Sequence, residues 1–442
     1  MPGDHVLFNG ALRLRARGDE AVIVKVPIPM QVVILSAGAA AGQGVTALLT
    51  AKWLGASDRG ILAVAQSISL LLVLVGGLGL IQATRMLLAN EASGVTLQLH
   101  GRLSTQLMVL QLILAATVGV ASFSNLTMSS GWFPLSCLVV MSVAGLRAAL
   151  TREALHGLGW HRAASGLEMS ASFVALVTIS LAYARNSLTL NLALGALAMA
   201  ALTQSALQQL VLRRATRGTR DQTPSASWTQ DLLKSRRVFA LCLPALVAAL
   251  GMALATRMDR LLLAYFANDK TVGVYATAAT LADLPWILPV AMSPMIVRQV
   301  AQSRSMKHHA SWWRRVVVAT VALSLVVFVM GGYLMEVFLG GDFGGNLSLF
   351  AVLLLGSVAI ASLQVDLAAC NGIGDLKSSA VSAIWGAAVG VASYIVLIRI
   401  FGLMGCGYAT VVTYSTMAII ARVRLRSSAT YRQTRKMNSQ WA

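Results

Sequence analysis

Apolar residues run along this chain in blocks of about twenty, separated by short polar stretches. A helix needs about 20 mostly apolar residues to cross roughly 30 Å of hydrocarbon, because it must satisfy its own backbone hydrogen bonds there. The blocks that meet this requirement predict twelve membrane-spanning helices. They lie at 31–52, 61–83, 104–123, 132–150, 168–185, 188–211, 238–257, 272–297, 315–335, 347–367, 378–398 and 402–421.

Composition supports burial in a membrane and excludes a water-soluble fold. Only 12% of the 442 residues are charged and 57% are apolar, with a mean hydropathy of +0.72, whereas about 25% of a typical soluble domain is charged. The chain carries 35 Lys and Arg against 16 Asp and Glu, which in a soluble protein would indicate a nucleic-acid partner. Because the basic residues lie between apolar blocks, we expect contacts with membrane lipids and no nucleic-acid partner.

The four cysteines lie inside or beside apolar blocks and lack the Cys and His spacing of a metal site. They are Cys137, Cys242, Cys370 and Cys406. We interpret them as small buried side chains, and the sequence predicts neither a metal site nor a cofactor.

The distribution of basic residues predicts the orientation in the membrane. An even number of spans places both termini on one side, and the positive-inside rule assigns the more basic side to the cytoplasm. The tails and every second loop hold 28 Lys and Arg, whereas the other loops hold 7. We therefore expect both termini in the cytoplasm, with residues 1–29 as an N-terminal tail. Met30 is an alternative start.

The longest connection, 213–237, is polar and basic and falls at the middle of the chain. It predicts a cytoplasmic linker between an N-terminal six-helix lobe, 30–212, and a C-terminal six-helix lobe, 238–421. Residues 422–442 form a second basic tail. Six spans in each half give the two lobes the same orientation in the membrane.

An internal repeat supports the division into halves. If Gly60 is placed on Gly273, residues 49–68 align without gaps with residues 262–281, and five positions are identical. Repeats of equal orientation are related by an axis along the membrane normal and enclose a cavity between them. The sequence therefore predicts an all-α integral membrane protein with pseudo-two-fold symmetry, which is typical of an alternating-access transporter.

Three glycine-containing segments carry a resemblance to a known family. Their residues are Ala51, Lys52, Leu54, Gly55 and Gly60; then Arg257, Asp259, Leu263, Gly273 and Tyr275; then Gly374, Lys377, Gly402, Gly405, Ala409 and Thr410. In this order they resemble the multidrug/oligosaccharidyl-lipid/polysaccharide (MOP) exporter superfamily, specifically its bacterial polysaccharide flippase (Wzx-type) branch. The chain departs from that pattern at Lys52, where the family has Arg.

The resemblance implies a MATE-like fold and a flippase in the bacterial inner membrane. Such a protein moves an undecaprenyl-pyrophosphate-linked oligosaccharide from the cytoplasmic to the periplasmic leaflet for O-antigen, capsule or exopolysaccharide synthesis. It implies a monomer that uses a proton or sodium gradient in place of a cofactor. The implied partners are the lipid-linked substrate, membrane lipids and the polysaccharide polymerase machinery.

Carboxylates at membrane depth are costly and usually mark a transport pathway. Asp283 lies about ten residues into the eighth span, roughly 15 Å deep at 1.5 Å per residue, and Pro285, Pro289 and Pro294 follow it. These prolines permit a break in the helix, so we expect ion coupling at Asp283 or, alternatively, a bond from it to a neighbouring helix. Asp366, near the cytoplasmic end of the tenth span, is either a second ion-coupling group or an interfacial carboxylate.

Basic side chains are candidates for binding a pyrophosphate, because a guanidinium group offers several donors to its oxygens. Lys52 and Arg59 flank the outer end of the first span, and Arg257 and Arg260 lie at the outer end of the seventh. The alternative interpretation pairs Arg257 with Asp259 in a structural ion pair and leaves Lys52 at the membrane interface.

Polar residues inside the spans are candidates for contacts with the sugar. Gln43 and Gln66, together with Gln204, fit either a cavity wall or hydrogen bonds between helices. On the inner side, basic residues fit a role in topology better than one in binding. They are Arg85, Arg147, Arg152 and Arg162.

Two other functions remain open from the sequence. A MATE-type multidrug or cation antiporter shares the two-lobe architecture, but that branch commonly carries a carboxylate in the first span, and residues 31–51 contain no charge. A membrane glycan polymerase or ligase needs a sizeable loop with catalytic groups, and the predicted outer loops are short. We therefore expect a transporter and no enzyme.

Overall fold

The computed structural model describes residues 28–89, 97–125, 132–215, 228–303, 306, 309–373 and 375–427. These residues form helices and connecting turns, with no β-strand among them. The α-helices are α1 Ile28–Gly76, α2 Leu80–Ala89, α3 Leu97–Asn125, α4 Trp132–Gly157, α5 His161–Ala184, α6 Leu190–Ala215, α7 Trp228–Phe266, α8 Asp269–Ala282, α9 Ile287–Ser303, α10 His309–Tyr333, α11 Leu347–Gly372 and α12 Leu376–Ser427. A 3₁₀ turn, Leu284–Trp286, separates α8 from α9.

The two longest helices, α1 and α12, are each interrupted by one glycine. Gly55 (φ 82°, ψ 175°) and Gly402 (φ 55°, ψ −128°) leave the helical conformation, and positive φ angles of this kind favour glycine. In α12 the chain folds back at Gly402, since the Tyr394 hydroxyl lies 3.0 Å from Thr410 Oγ1 and both residues are equally distant from the glycine. The helix is therefore a hairpin of two antiparallel arms.

Helix α1 has the same construction around Gly55. Gln43 and Gln66 are almost equally distant from this glycine and line the same cavity, which places the segments before and after it side by side. We call residues 28–54 the first arm and residues 56–76 the second arm.

Nine helical segments in the described ranges are long and apolar enough to cross a membrane. Two of them, Ile34–Gly76 with 43 residues and Lys377–Ser427 with 51 residues, are the hairpins and hold two crossings each. The nine segments do not include α7, which contains the predicted seventh span. With both arms of each hairpin and α7 counted, the fold accommodates the twelve crossings that the apolar pattern predicts.

Several helix boundaries differ from the prediction. Helix α7 begins at Trp228, inside the predicted linker 213–237. The predicted second span, 61–83, is interrupted between Gly76 and Leu80. The interruption arises because Gly79 has a φ of 77° and packs so closely on α7 that a Cβ atom there would collide with the backbone carbonyl of Cys242.

The predicted break in the eighth span is present. Helix α8 ends at Ala282, Pro285 lies in the 3₁₀ turn, and α9 begins at Ile287. The parts of the predicted tails at 1–27 and 428–442, and residues 216–227 of the linker, lie outside the described residues.

The two lobes, α1–α6 and α7–α12, meet at the glycine pair on which the repeat is aligned. A Cβ atom on Gly60 would collide with the backbone carbonyl of Asp269, and one on Gly273 would collide with that of Ala56. The alignment that pairs Gly60 with Gly273 also pairs Ala56 with Asp269, so the contact is reciprocal. Small residues permit this close approach of two membrane helices, and the reciprocity shows the pseudo-two-fold relation of the lobes.

Candidate functional site

A cavity of about 500 Å³ lies between the lobes. The first lobe lines it mainly with both arms of α1 and with α5 and α6, and the second lobe with α7, α8 and the start of α9. Its volume falls in the range of ligand-binding pockets, roughly 300 to 1,000 Å³. Polar and charged side chains interrupt the apolar lining and give the cavity its chemical character.

Three arginines from the two lobes line this cavity. Arg59 comes from the second arm of α1, and Arg257 and Arg260 come from α7. Residues three apart on a helix lie on the same face, which is why both α7 arginines reach the cavity. Arg59 is 2% exposed and Arg260 is 5% exposed. Withdrawing such charges from water costs several kcal/mol per ion unless other groups compensate them.

The compensation is incomplete. Arg260 Nη2 lies 4.0 Å from Asp283 Oδ2, and Arg260 Nε has no hydrogen-bond partner in the described structure. Arg59 Nη1 lies 3.5 Å from Gln66 Oε1, and Arg59 Nε also has no partner there. The Asp283 carboxylate is therefore the counter-ion of Arg260 on α7. The hydrogen-bond partner of Arg59 among the described residues is the neutral amide of Gln66. The arginine cluster carries an excess of positive charge and unused donors.

Asp283 owes its position to the break in the eighth span. It caps the C-terminus of α8, directly before the turn that contains Pro285. Its side chain is 35% exposed and lines the cavity. The carboxylate proposed for ion coupling therefore lies beside Arg260 in the wall of the cavity.

Glu168 is a second carboxylate in the cavity wall, and sequence reasoning missed it. The prediction begins the fifth span at residue 168, but α5 begins at His161, so Glu168 lies about two turns inside the helix. Its Oε1 accepts a hydrogen bond from Arg152 Nη1 at 2.9 Å, and Arg152 Nε lies 3.4 Å from Glu153 Oε1. Arg152 is therefore paired with two carboxylates.

Neutral polar groups complete the lining. Gln43, Gln66 and Gln204 all contribute to the cavity wall. Trp286, which the sequence did not single out, also lines the cavity, and its buried indole N–H has no partner among the described residues. These groups supply donors and acceptors for a hydroxyl-rich ligand.

Asp259 lies outside the cavity, and its expected ion pair with Arg257 does not form. Residues two apart on a helix point in different directions, so Arg257 faces the cavity while Asp259 faces the interior of the second lobe. Asp259 is 3% exposed and accepts hydrogen bonds from the Tyr275 hydroxyl at 2.9 Å and the Arg260 backbone N–H at 2.7 Å. The Tyr275 hydroxyl lies 2.9 Å from Thr410 Oγ1. This network joins two of the resemblance-bearing segments.

Asp366 does not line the cavity. It is fully buried in the second lobe, where Oδ2 accepts a hydrogen bond from Arg422 Nε at 2.7 Å and Oδ1 lies 3.0 Å from His309 Nε2. Arg422 also stacks over Trp313, 4.4 Å from the ring centroid. Asp366 thus connects the start of α10, the body of α11 and the end of α12. A coupling ion would have to displace these groups.

Lys52 is exposed and lies outside the cavity lining. Its Nζ is 3.7 Å from the centroid of the Phe338 ring, in the second lobe. Of the ten residues singled out as site candidates, seven line the cavity and three lie elsewhere. The seven are Gln43, Arg59, Gln66, Gln204, Arg257, Arg260 and Asp283.

Comparison with known proteins identifies the fold. A scan against protein-family models finds no match, and a search of curated protein sequences finds no significant similarity. Solved structures do match. A mutant of the Vibrio cholerae MATE transporter VcmN is 15% identical with a TM-score of 0.58, covering 91% of this chain and 97% of its own.

Two further structures match over similar lengths. The lipid II flippase MurJ in an inward closed conformation is 11% identical with a TM-score of 0.63, covering 90% of this chain and 88% of its own. An outward-facing multidrug resistance MATE transporter of the MOP superfamily is 13% identical with a TM-score of 0.58, covering 90% of this chain and 95% of its own. These neighbours are transporters and a flippase, and at 11% to 15% identity they establish the fold of this chain alone. The chain has the multi-pass fold of the MOP-superfamily transporters.

Proposed function

We propose that this protein is an alternating-access flippase for an undecaprenyl-pyrophosphate-linked oligosaccharide in bacterial surface polysaccharide synthesis. It acts in the inner membrane with both termini in the cytoplasm, and it delivers its substrate to the periplasmic leaflet, where the polymerase machinery uses it. The arginine cluster in the inter-lobe cavity carries the proposal, and the buried Arg59 is its central member.

The chemistry of the cluster favours an anion with several oxygens. Arg59, Arg257 and Arg260 stand against one cavity carboxylate in their vicinity, Asp283. A pyrophosphate offers charge-assisted hydrogen bonds to several guanidinium donors at once. Such a ligand compensates the buried charges that the protein leaves unpaired. The amides and the Trp286 N–H in the same cavity suit the attached sugars.

The position of Asp283 supports coupling to an ion gradient. An anionic headgroup and the Asp283 carboxylate compete for Arg260, which lies 4.0 Å from the carboxylate. A proton or sodium ion bound to Asp283 would release Arg260 to the substrate. In this scheme the ion and the glycolipid act on the same guanidinium group, which is the link that coupled transport needs.

A MATE-type cation antiporter is the second candidate. The fold is compatible with it, and Asp283 and Glu168 both line the cavity. Against it stands the charge balance, because Glu168 already pairs with Arg152 and the arginines near Asp283 repel a cationic drug. The two functions therefore predict opposite effects of removing an arginine.

The decisive experiment uses purified protein in proteoliposomes with a fluorescent polyprenyl-pyrophosphate oligosaccharide in one leaflet. Translocation is followed by its accessibility to a membrane-impermeant reagent, with and without imposed proton or sodium gradients. We expect gradient-stimulated translocation in the parent protein and in Arg399→Met, which alters an exposed arginine of the second lobe. We expect none in Arg59→Met, and Asp283→Asn should lose the response to the gradient.

Two outcomes would contradict the proposal. Translocation of the glycolipid at the parent rate by Arg59→Met would remove the arginine cluster from the mechanism. Transport of cationic dyes without transport of the glycolipid would establish the antiporter instead, particularly if Arg59→Met increased the dye rate.

A further inference from the structure

The segment Leu334–Asn346, which connects α10 to α11 in the second lobe, crosses over to the first lobe. We call it the connecting loop. It consists of a π-helical turn and a 3₁₀ turn joined by glycine. Gly340, Gly341 and Gly345 have φ angles of 60°, 51° and 76°, in the region that favours glycine. The loop is therefore folded into a defined shape and is not an extended link.

The aromatic side chain of Phe343 packs the connecting loop against the boundary between the lobes. Phe343 is 4% exposed and packs in one cluster with Ala51 and Ala56 of the first lobe and Val274 of the second. Leu339 of the same loop packs against this cluster. Burial of a phenylalanine from a loop holds that loop in place, and the small alanines make room for the ring.

Two lysines contact the connecting loop, one from the second lobe and one from the first lobe. Lys270 Nζ lies 2.8 Å from Asp342 Oδ1, which ties the loop to the start of α8 in its own lobe. Lys52 Nζ lies 3.7 Å from the Phe338 ring centroid, which ties the loop to the first lobe. Because Lys52 is exposed, water can replace the aromatic face when the two separate.

The loop lies beside the point at which the lobes touch. Ala56, in the cluster with Phe343, is also the residue whose carbonyl group meets Gly273. The backbones of the second arm of α1 and of α8 are in direct contact there, so the cavity is closed at this end. Opening this end requires that Phe343 and Phe338 leave the first lobe.

We propose that the connecting loop is a latch that holds this end of the cavity closed, and that the contact of Lys52 with Phe338 is its releasable part. The proposal rests on alternating access as part of the proposed function and not on the identity of the substrate. Loss of the contact shifts the protein toward the state that is open at this end. A cation–π contact at an exposed site supports a shift of about two- to fivefold in the ratio of open to closed molecules.

Spin labels on the two lobes measure this ratio directly. Labels at Ser57→Cys and Tyr265→Cys, both at exposed positions, report the separation at the closed end by double electron–electron resonance in nanodiscs without substrate. The four native cysteines, all buried, are replaced by alanine in this background. We expect Lys52→Met and Phe338→Leu each to raise the long-distance population about two- to fivefold.

Two control variants test whether the shift in population is specific to the contact between Lys52 and Phe338. Lys52→Arg keeps the cation and should match the parent. Arg399→Met removes a cation over the Phe266 ring, 5.1 Å from its centroid, but both residues belong to the second lobe, so it should also match the parent. An equal shift in Arg399→Met, or no shift in the two latch variants, would overturn the proposal.

Lys52→Glu covers the case in which Phe338→Leu is poorly folded, because position 52 is exposed. A carboxylate in place of the ammonium group is repelled by the negative face of the Phe338 ring, so the long-distance population should rise at least as much as in Lys52→Met. A population equal to that of the parent in Lys52→Glu would rule out the latch. Since neither test measures glycolipid transport, the latch and the proposed substrate can fail independently.

Discussion

Two clusters of buried charge in this protein differ in how completely they are paired. In the second lobe, Asp366 is fully buried and both of its oxygens have partners, in Arg422 and His309. In the cavity, Arg59 is almost as buried, yet its nearest hydrogen-bonding partner is an amide oxygen at 3.5 Å. Satisfied buried charges hold helices together, whereas an unsatisfied one beside a cavity indicates a ligand.

The strongest test of this comparison removes the paired carboxylate. Asp366→Asn leaves the Arg422 guanidinium without its counter-ion, and breaking a buried pair in this way costs about 3 kcal/mol or more. We expect a clearly lower melting temperature of the purified protein in detergent. A melting temperature equal to that of the parent would show that the Asp366 cluster does not hold α10, α11 and α12 together.

The second test removes the unpaired cation. Arg59→Met should weaken binding of a polyprenyl pyrophosphate roughly tenfold to a hundredfold, the worth of a charged hydrogen bond, measured by titration in detergent. The melting temperature should stay equal or rise, because an uncompensated buried charge is lost. If Arg59→Met instead lowered the melting temperature as much as Asp366→Asn, the distinction between the clusters would be wrong.

A third, smaller loss of stability is expected when the hydrogen bonds around Asp259 are broken. Tyr275→Phe removes the hydroxyl group between Asp259 and Thr410, which should cost about 1 to 2 kcal/mol of stability and leave pyrophosphate binding unchanged. Tyr408→Phe, at a 40% exposed position, is the matched control and should melt like the parent. Impaired binding in Tyr275→Phe would extend the functional site from the cavity wall into the buried interior of the second lobe.

The smallest change in melting temperature is expected when an ion pair on the protein surface is broken. Asp342→Asn breaks the ion pair with Lys270, whose side chains are 47% and 57% exposed, and such pairs contribute less than about 1 kcal/mol. The melting temperature should change little, and the change should vanish at high salt. A loss as large as that of Asp366→Asn would show that burial does not determine the effect.

Much of the fold was predictable because membranes impose simple rules on sequence. Apolar length predicts the crossings, Pro285 predicts the break before α9, and the alignment of Gly60 with Gly273 predicts the two similar halves. Helix ends were less predictable, since α5 and α7 continue beyond their apolar cores into polar residues. That extension is why Glu168 was assigned to a helix end and missed as a cavity group.

The direction of each charged side chain was harder to predict than its depth. Arg257, Asp259 and Arg260 are neighbours in sequence, but helical geometry sends the arginines to the cavity and the aspartate to the interior. Asp366 and Asp283 are both carboxylates in spans, and only the packing of α10 and α12 around Asp366 distinguishes them.

The sequence by itself determined that the chain crosses a membrane, that it has two halves, and that the eighth span breaks near Pro285, because hydrocarbon thickness and backbone geometry act on each segment separately. Tertiary structure alone decided which charges are paired and which line the cavity. Partners such as Arg422 for Asp366 lie 56 residues apart, and no local pattern records which helix packs against which.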